Sequence, residues 1–133
     1  MGDDGLRLLF VHQNFPAQFG HLARRLVRRH GCRCWHVAEG KGGDADGVTL
    51  VPYRAPPPAR ETHPLARSFE RGVRHAHAVV DAVRRADVPT PDLIVGHAGL
   101  GPTAFLAEWF ERPVVGYFEW AYRPDGPDVG CAR

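Results

Sequence analysis

The sequence predicts an α/β fold, a Rossmann-like parallel sheet with helices on both faces. Two observations predict it. Short, almost wholly apolar runs recur along the 133-residue chain, as in strands covered on both sides. Longer segments with helical spacing of apolar residues lie between them, and strands that alternate with helices imply right-handed βαβ crossovers. The length fits one domain over 1–133 and one sizeable core.

Leu6 to Val11 (LRLLFV) is the first strand. Asn14 is a good N-cap and Pro16 is tolerated in a first helical turn. Phe15, Phe19, Leu22 and Leu26 then fall on one helical face, with Arg24, Arg25, Arg28 and Arg29 on the other. Gly31 stops this helix. Cys32 to Val37 is the second strand and Val48 to Tyr53 the third, joined by a flexible polar loop, Gly40 to Gly47. The proline-rich connector APPPARETHP, residues 55 to 64, is stiff. It leads into a long helix from about Leu65 to Ala86, in which Leu65, Phe69, Val73, Ala76, Val80 and Val83 keep the helical period. Leu93 to Val95, extended by Asp92 and Gly96, is the fourth strand. Gly99-Leu-Gly-Pro turns into a shorter helix through Phe110, and Pro113 opens the fifth strand, Val114 to Phe118.

The expected strand order is 3-2-1-4-5. In such a sheet ligands bind beyond the carboxyl ends of the strands, where the order reverses. That point lies between the first and fourth strands, so His12-Gln13-Asn14 and His97-Ala98-Gly99 should meet in one crevice.

Bulk properties narrow the function. Hydrophobic residues make up 44% and charged residues 24%, the composition of a soluble globular protein. The net charge of +2 does not by itself imply nucleic-acid binding. Lys41 is the only lysine, a bias toward arginine that fits a GC-rich genome better than a binding function. No stretch approaches the ~18 apolar residues of a membrane span. The acidic start, MGDDG, has no apolar signal region, and three cysteines make no disulfide framework, so a cytoplasmic location is expected.

Each candidate site has a plain structural alternative. His12, Gln13 and Asn14 are either turn and capping residues or ligands for hydroxyl groups, since imidazole and carboxamide both donate and accept hydrogen bonds. His97 ends a buried strand, and the glycines after it let a ligand approach the backbone. The following helix offers free N–H groups to an anion; alternatively, neighbouring backbone satisfies the histidine. Gly99-Leu-Gly101 is no dinucleotide fingerprint, because it follows the fourth strand and lacks the third glycine. HGCRCWH, residues 30 to 36, places His30, Cys32, Cys34 and His36 at alternate positions. On an extended strand these point the same way in a row, about 6.5–7 Å apart, and cannot converge on one tetrahedral ion. No metal is expected. The basic helix is either a solvated face or a contact for anionic lipid. Glu119 and Tyr122 follow the fifth strand, where Glu119 either serves hydroxyls, acts as a base or pairs with an arginine.

Three stretches, LRLLFVHQNFPAQFGHLARRL, DLIVGHAGLG and VVGYFEWAYRPDGPDVG, together resemble the N-terminal domain of family 4 glycosyltransferases. The resemblance covers nearly the whole chain in the right order. It implies one half of a two-domain GT-B enzyme that works in the cleft between Rossmann-like domains and transfers sugar with retention. No cofactor is implied; a nucleotide-sugar is the co-substrate, and the acceptor is unnamed. His97 matches a histidine that contacts the donor sugar and is the candidate catalytic residue. His12, Gln13, Asn14 and Phe15 match a loop near the donor phosphates and acceptor. Gly99, Glu119 and Tyr122 are the other candidate binding residues. Ala17 stands where the family's first segment has glycine, and the glycine pair many relatives use near the phosphates is missing. The chain stops after its fifth strand, so a C-terminal donor domain is an expected partner and no turnover is expected from this chain alone. The alternative is a stand-alone Rossmann-like binding or regulatory module, homodimeric through Trp109, Trp120 and Tyr122.

Overall fold

A computed structural model describes residues 5–97 and 101–119. Six strands, β1 (Arg7–Val11), β2 (Arg33–Glu39), β3 (Gly43–Ala45), β4 (Val48–Tyr53), β5 (Leu93–His97) and β6 (Val114–Tyr117), form one sheet in the order β3-β4-β2-β1-β5-β6. Every neighbouring pair is parallel except β3 with β4. Three helices accompany it: α1 (Gly20–His30), α2 (Arg67–Arg85) and α3 (Leu106–Phe110). None of the described helices is long and apolar enough to cross a membrane.

The observed order differs from the expected 3-2-1-4-5 by one strand. The five expected strands keep that sequence, and β3 adds an antiparallel edge beyond β4 where a flexible loop was expected. The cause is Asp46-Gly47. Both have positive φ, +57° and +85°, and they join Ala45 to its partner Val48 as a two-residue hairpin turn. The Asp44 carboxylate accepts the Gly47 N–H at 3.0 Å and closes the turn.

β1 explains why the core has two halves. Its side chains alternate between the two faces of the sheet. Leu9 and Val11 join Val37, Val51 and Ile94 in a cluster closed by Val79 and Val83 of α2 and by Leu106 and Phe110 of α3. Leu8 and Phe10 join Cys34, Val48, Phe19 and Ala23 beneath α1. Burying each large side chain of this kind stabilises the fold by roughly 1.5–3 kcal/mol.

Both long helices depart from the expected detail. α1 begins at Gly20, and its N-cap is Phe19 without a side-chain bond. Asn14 is therefore not a cap; residues 12–19 form an irregular loop that includes a cis Phe15–Pro16 peptide. Leu22, expected on the buried face, is 45% exposed, and Ala23 is buried instead. The eight loop residues before Gly20 shift the helix away from the register that Phe15 would have set. Gly31 ends α1 as expected, with φ +62°. Leu65 and Phe69 are exposed: Leu65 lies in a single 3₁₀ turn, Pro64–Ala66, before α2, which starts at Arg67, and Phe69 lies in the first turn of α2. Gly72, His75, Ala76, Val79, Ala82 and Val83 make the buried stripe.

The proline-rich connector is tied to α2 through Glu70. Its carboxylate accepts from the Thr62 hydroxyl, the Ala59 N–H at 3.2 Å and the Arg74 guanidinium at 2.6 Å. The Thr62 hydroxyl, with Arg74 and Ala59, holds Glu70 down to about 2. At the other end of the sheet, Asp92 accepts the Arg7 N–H at 2.8 Å and fixes the start of β5 against β1.

Candidate functional site

β1 and β5 are neighbours, so the residues that end them are adjacent. His12 and His97 meet edge to face, with ring centroids 5.3 Å apart. Parallel pairing of β5 with β6 sets His97 beside Tyr117, their rings 6.1 Å apart. Phe19, the last residue before α1, lies beneath both sides of this group, 6.1 Å from His12 and 6.0 Å from Tyr117. Phe19 in turn packs on Phe10 at 5.9 Å. The histidines thus stand on an aromatic floor that is continuous with the core.

Glu119 completes the group. One carboxylate oxygen lies 3.5 Å from His97 Nε2, and the other accepts from the Gln18 side-chain amide. Gln18 therefore ties the loop after β1 to the end of β6. Of the alternatives for Glu119, the arginine pair is not seen among the described residues; an amide and an imidazole face it instead.

His12 Nδ1 accepts the Asn14 N–H at 2.9 Å, and the Asn14 carbonyl lies 3.2 Å from the same nitrogen. Assigned from the shorter contact, the neutral tautomer carries its proton on Nε2. Burial and the neighbouring His97 lower the His12 pKa, while the Asn14 carbonyl and Glu119 oppose the shift.

The remaining predicted residues divide. Gln13 is exposed, and its carbonyl accepts the Glu39 N–H at 2.9 Å, which ties the loop to the end of β2. Asn14 contributes its backbone rather than its side chain. Phe15 leaves the His12–His97 group and stands edge-on over His36, with ring centroids 4.8 Å apart, under the Arg24 guanidinium at 5.3 Å. Gly99 and Tyr122 lie outside the described residues. Gln18, Phe19 and Tyr117 were missed by sequence reasoning. Phe19 and Tyr117 were assigned to a helix face and a strand, and only the tertiary pairing gives Gln18 its partner.

Gly96 holds the other wall close. A Cβ there would sit 2.1 Å from Thr103 Cγ2, so the turn leading to α3 packs directly on the strand that carries His97. The model of the glycosyl transferase family 4 group matches residues 30–133. The chain belongs to this family. The match includes His97 and Glu119 and begins after the His12–Phe15 loop. A search of the curated proteins found no match.

The other residues singled out in the sequence of this family 4 chain lie apart from the site. Among the described residues no group of His, Cys, Asp and Glu converges as a metal site. His30 closes α1, while Cys32 and Cys34 are buried thiols. His75 Nδ1 and the Tyr53 hydroxyl share a hydrogen bond of 2.9 Å inside the core, and His77 lies on Phe105 outside it. The basic face of α1 is partly neutralised, because Asp46 of the unexpected hairpin lies 3.2 Å from both Arg24 and Arg28.

His36 is the buried histidine without a hydrogen-bond partner. It is fully buried, and neither ring nitrogen has a bonding partner among the described residues. The Val37 backbone lies beside the ring and favours its charged form, yet meets neither nitrogen in bonding geometry. Burial, helped by His12, lowers its pKa from 6.5 to about 4. The unfolded chain then takes up a proton near 6.5 that the folded chain refuses until about 4. Stability is expected to fall as pH drops through that window. Urea midpoints across the window test this: His36→Phe, which keeps a buried ring without titration, flattens the slope, and an unchanged slope contradicts it.

Proposed function

We propose that this chain is the acceptor-side half of a retaining glycosyltransferase, in which His12, His97 and Glu119 line one wall of the transfer cleft. The observation that carries the reading is the meeting of those three residues at the reversal of strand order, in a chain of this family. At that edge of an open α/β sheet a ligand finds strand ends and helix starts together. His97 is assigned to the donor sugar. Glu119 lies 3.5 Å from its Nε2 and faces the ring, while the Gln18 amide fixes Glu119. His12, neutral with Nε2–H outward from Asn14, donates to an oxygen of donor or acceptor. Burial keeps it neutral, which suits hydroxyl recognition better than a charged imidazolium. A nucleotide-sugar supplies the transferable group; a second domain supplies the opposite wall, holds the nucleotide and excludes water.

The surface beyond the site supports a missing neighbour. β6 is the edge strand, with Val115, Tyr117 and Phe118 exposed, and Trp109 of α3 is 48% exposed. Isolated monomers rarely leave such a group of large apolar side chains open. A donor domain would cover it, and so would a second copy of the chain. The intact mass of the protein made by its native cell separates the two. The proposal predicts a product several times ten kilodaltons heavier than 14.7 kDa. A product ending at Arg133 that sediments as a dimer would replace the half-enzyme with a self-associating module.

A further inference from the structure

The outer face of α1 holds more positive charge than its surroundings balance. Arg24, Arg25, Arg28 and Arg29 line a hollow there together with His21 and a single carboxylate, that of Asp46. Asp46 lies 3.2 Å from both Arg24 and Arg28. Arg25 and Arg29 are exposed and form no ion pair among the described residues. Four guanidiniums against one carboxylate leave three positive charges on this face, more than the +2 of the whole chain. The rest of the molecule is therefore slightly acidic, and an anionic surface draws the protein in by this face.

The shape of the face narrows the partner. Apart from Asp46, the described residues that line the hollow all belong to α1, so they offer one wall to an anion rather than a pocket around it. An extended layer of phosphates meets all four arginines at once, and the guanidinium fork matches phosphate oxygens. Leu22 is 45% exposed and lies one turn before Arg25. An apolar side chain beside a basic row suits the boundary between headgroups and acyl chains. A nucleic acid is the poorer match, because the chain has a pI of 8.6, below the value of about 9 typical of domains that bind one.

We propose that the outer face of α1 docks reversibly on an anionic lipid bilayer. Each arginine held near such a surface strengthens binding about fivefold, so three net charges supply about 10²-fold, a contact rather than an anchor. α1 starts at Gly20, directly after Phe19, and the middle of the arginine row lies about 10 Å along the axis from that start. Phe19 supports His12, so docking holds the His12–His97 crevice beside the bilayer.

The test is cosedimentation of the protein with vesicles of phosphatidylglycerol and phosphatidylcholine in equal parts, against vesicles of phosphatidylcholine alone. At an ionic strength of ~0.01 M, where screening is weak, the anionic vesicles are preferred about 10²-fold, and at ~1 M the preference is lost. Arg25→Gln with Arg29→Gln, at exposed positions and with a good helix former, cuts the preference at least tenfold. Arg71→Gln with Arg85→Gln removes the same charge from exposed positions of α2, across the sheet, and leaves the preference standing. A preference below tenfold, its survival at high salt, or an equal loss from the α2 pair overturns the docking face. So does release by inorganic phosphate at an ionic strength where sodium chloride releases nothing, which marks a site for the free ion. Tighter binding of a single-stranded RNA oligonucleotide through the same two arginines overturns it in favour of nucleic acid. Vesicle binding is independent of glycosyl transfer, so either can fail alone.

Discussion

In the complete enzyme, His97→Ala is expected to lower kcat by about 10²–10³-fold, the usual cost of deleting one positioned polar group at a transfer centre. The His97 side chain is 35% exposed, and its contacts are His12, Tyr117 and Glu119 rather than the core. The unfolding midpoint should therefore barely move. Glutamine at 97 keeps a donor that reaches Glu119 and should recover part of the loss. The acceptor KM should change little, because His97 is assigned to the donor. Unchanged kcat would remove His97 from the site. A loss of kcat with an equal loss of stability would make it a structural residue.

Phe10→Ala is expected to cost about 3–5 kcal/mol, the range for deleting a buried aromatic ring. Phe10 is 1% exposed and stands between the sheet and Phe19. A domain of this size has only about 5–15 kcal/mol in all, so the loss takes about a fifth or more of the total and should lower the urea midpoint clearly. The damage also reaches the site, because Phe19 is the common support of His12 and Tyr117. Leu22→Ala, on the exposed side of α1, is the control and should stay within about 0.5 kcal/mol. Urea midpoints of the three proteins check the contrast. A cost at Leu22 matching that at Phe10 would mean that the helix packs through the face the sequence pattern first indicated.

That contrast shows where the sequence was readable. β1, β2, β4, β5 and β6 announce themselves as short apolar runs bounded by turn residues, the pattern of strands in a parallel sheet. The meeting of His12 with His97 was legible for the same reason, since alternation of strands and helices dictates which strand ends are neighbours. Helix starts were less legible. Asn14 and Pro16 carry a proper N-terminal signal, yet the chain uses Asn14 N–H to hold His12 Nδ1 and delays α1 to Gly20. The edge hairpin had its signal in Asp46-Gly47, but Gly43 and Asp44 lack the apolar alternation that marks a strand. Gln18 could not be found from sequence, because its partner Glu119 is 101 residues away. His36 was read as a strand residue beside the core. That it is, and its unpartnered nitrogens emerge only from packing.

Glycosyl transfer with retention at the His12–His97 crevice is the proposed reaction. Its most direct test is the anomeric configuration of the product, read by NMR from a nucleotide-sugar panel incubated with the protein as its native cell makes it. Transfer from one donor is expected, with a product that keeps the donor's anomeric configuration and is lost in the His97→Ala enzyme. An inverted product, or no transfer from any donor in the panel, would contradict it.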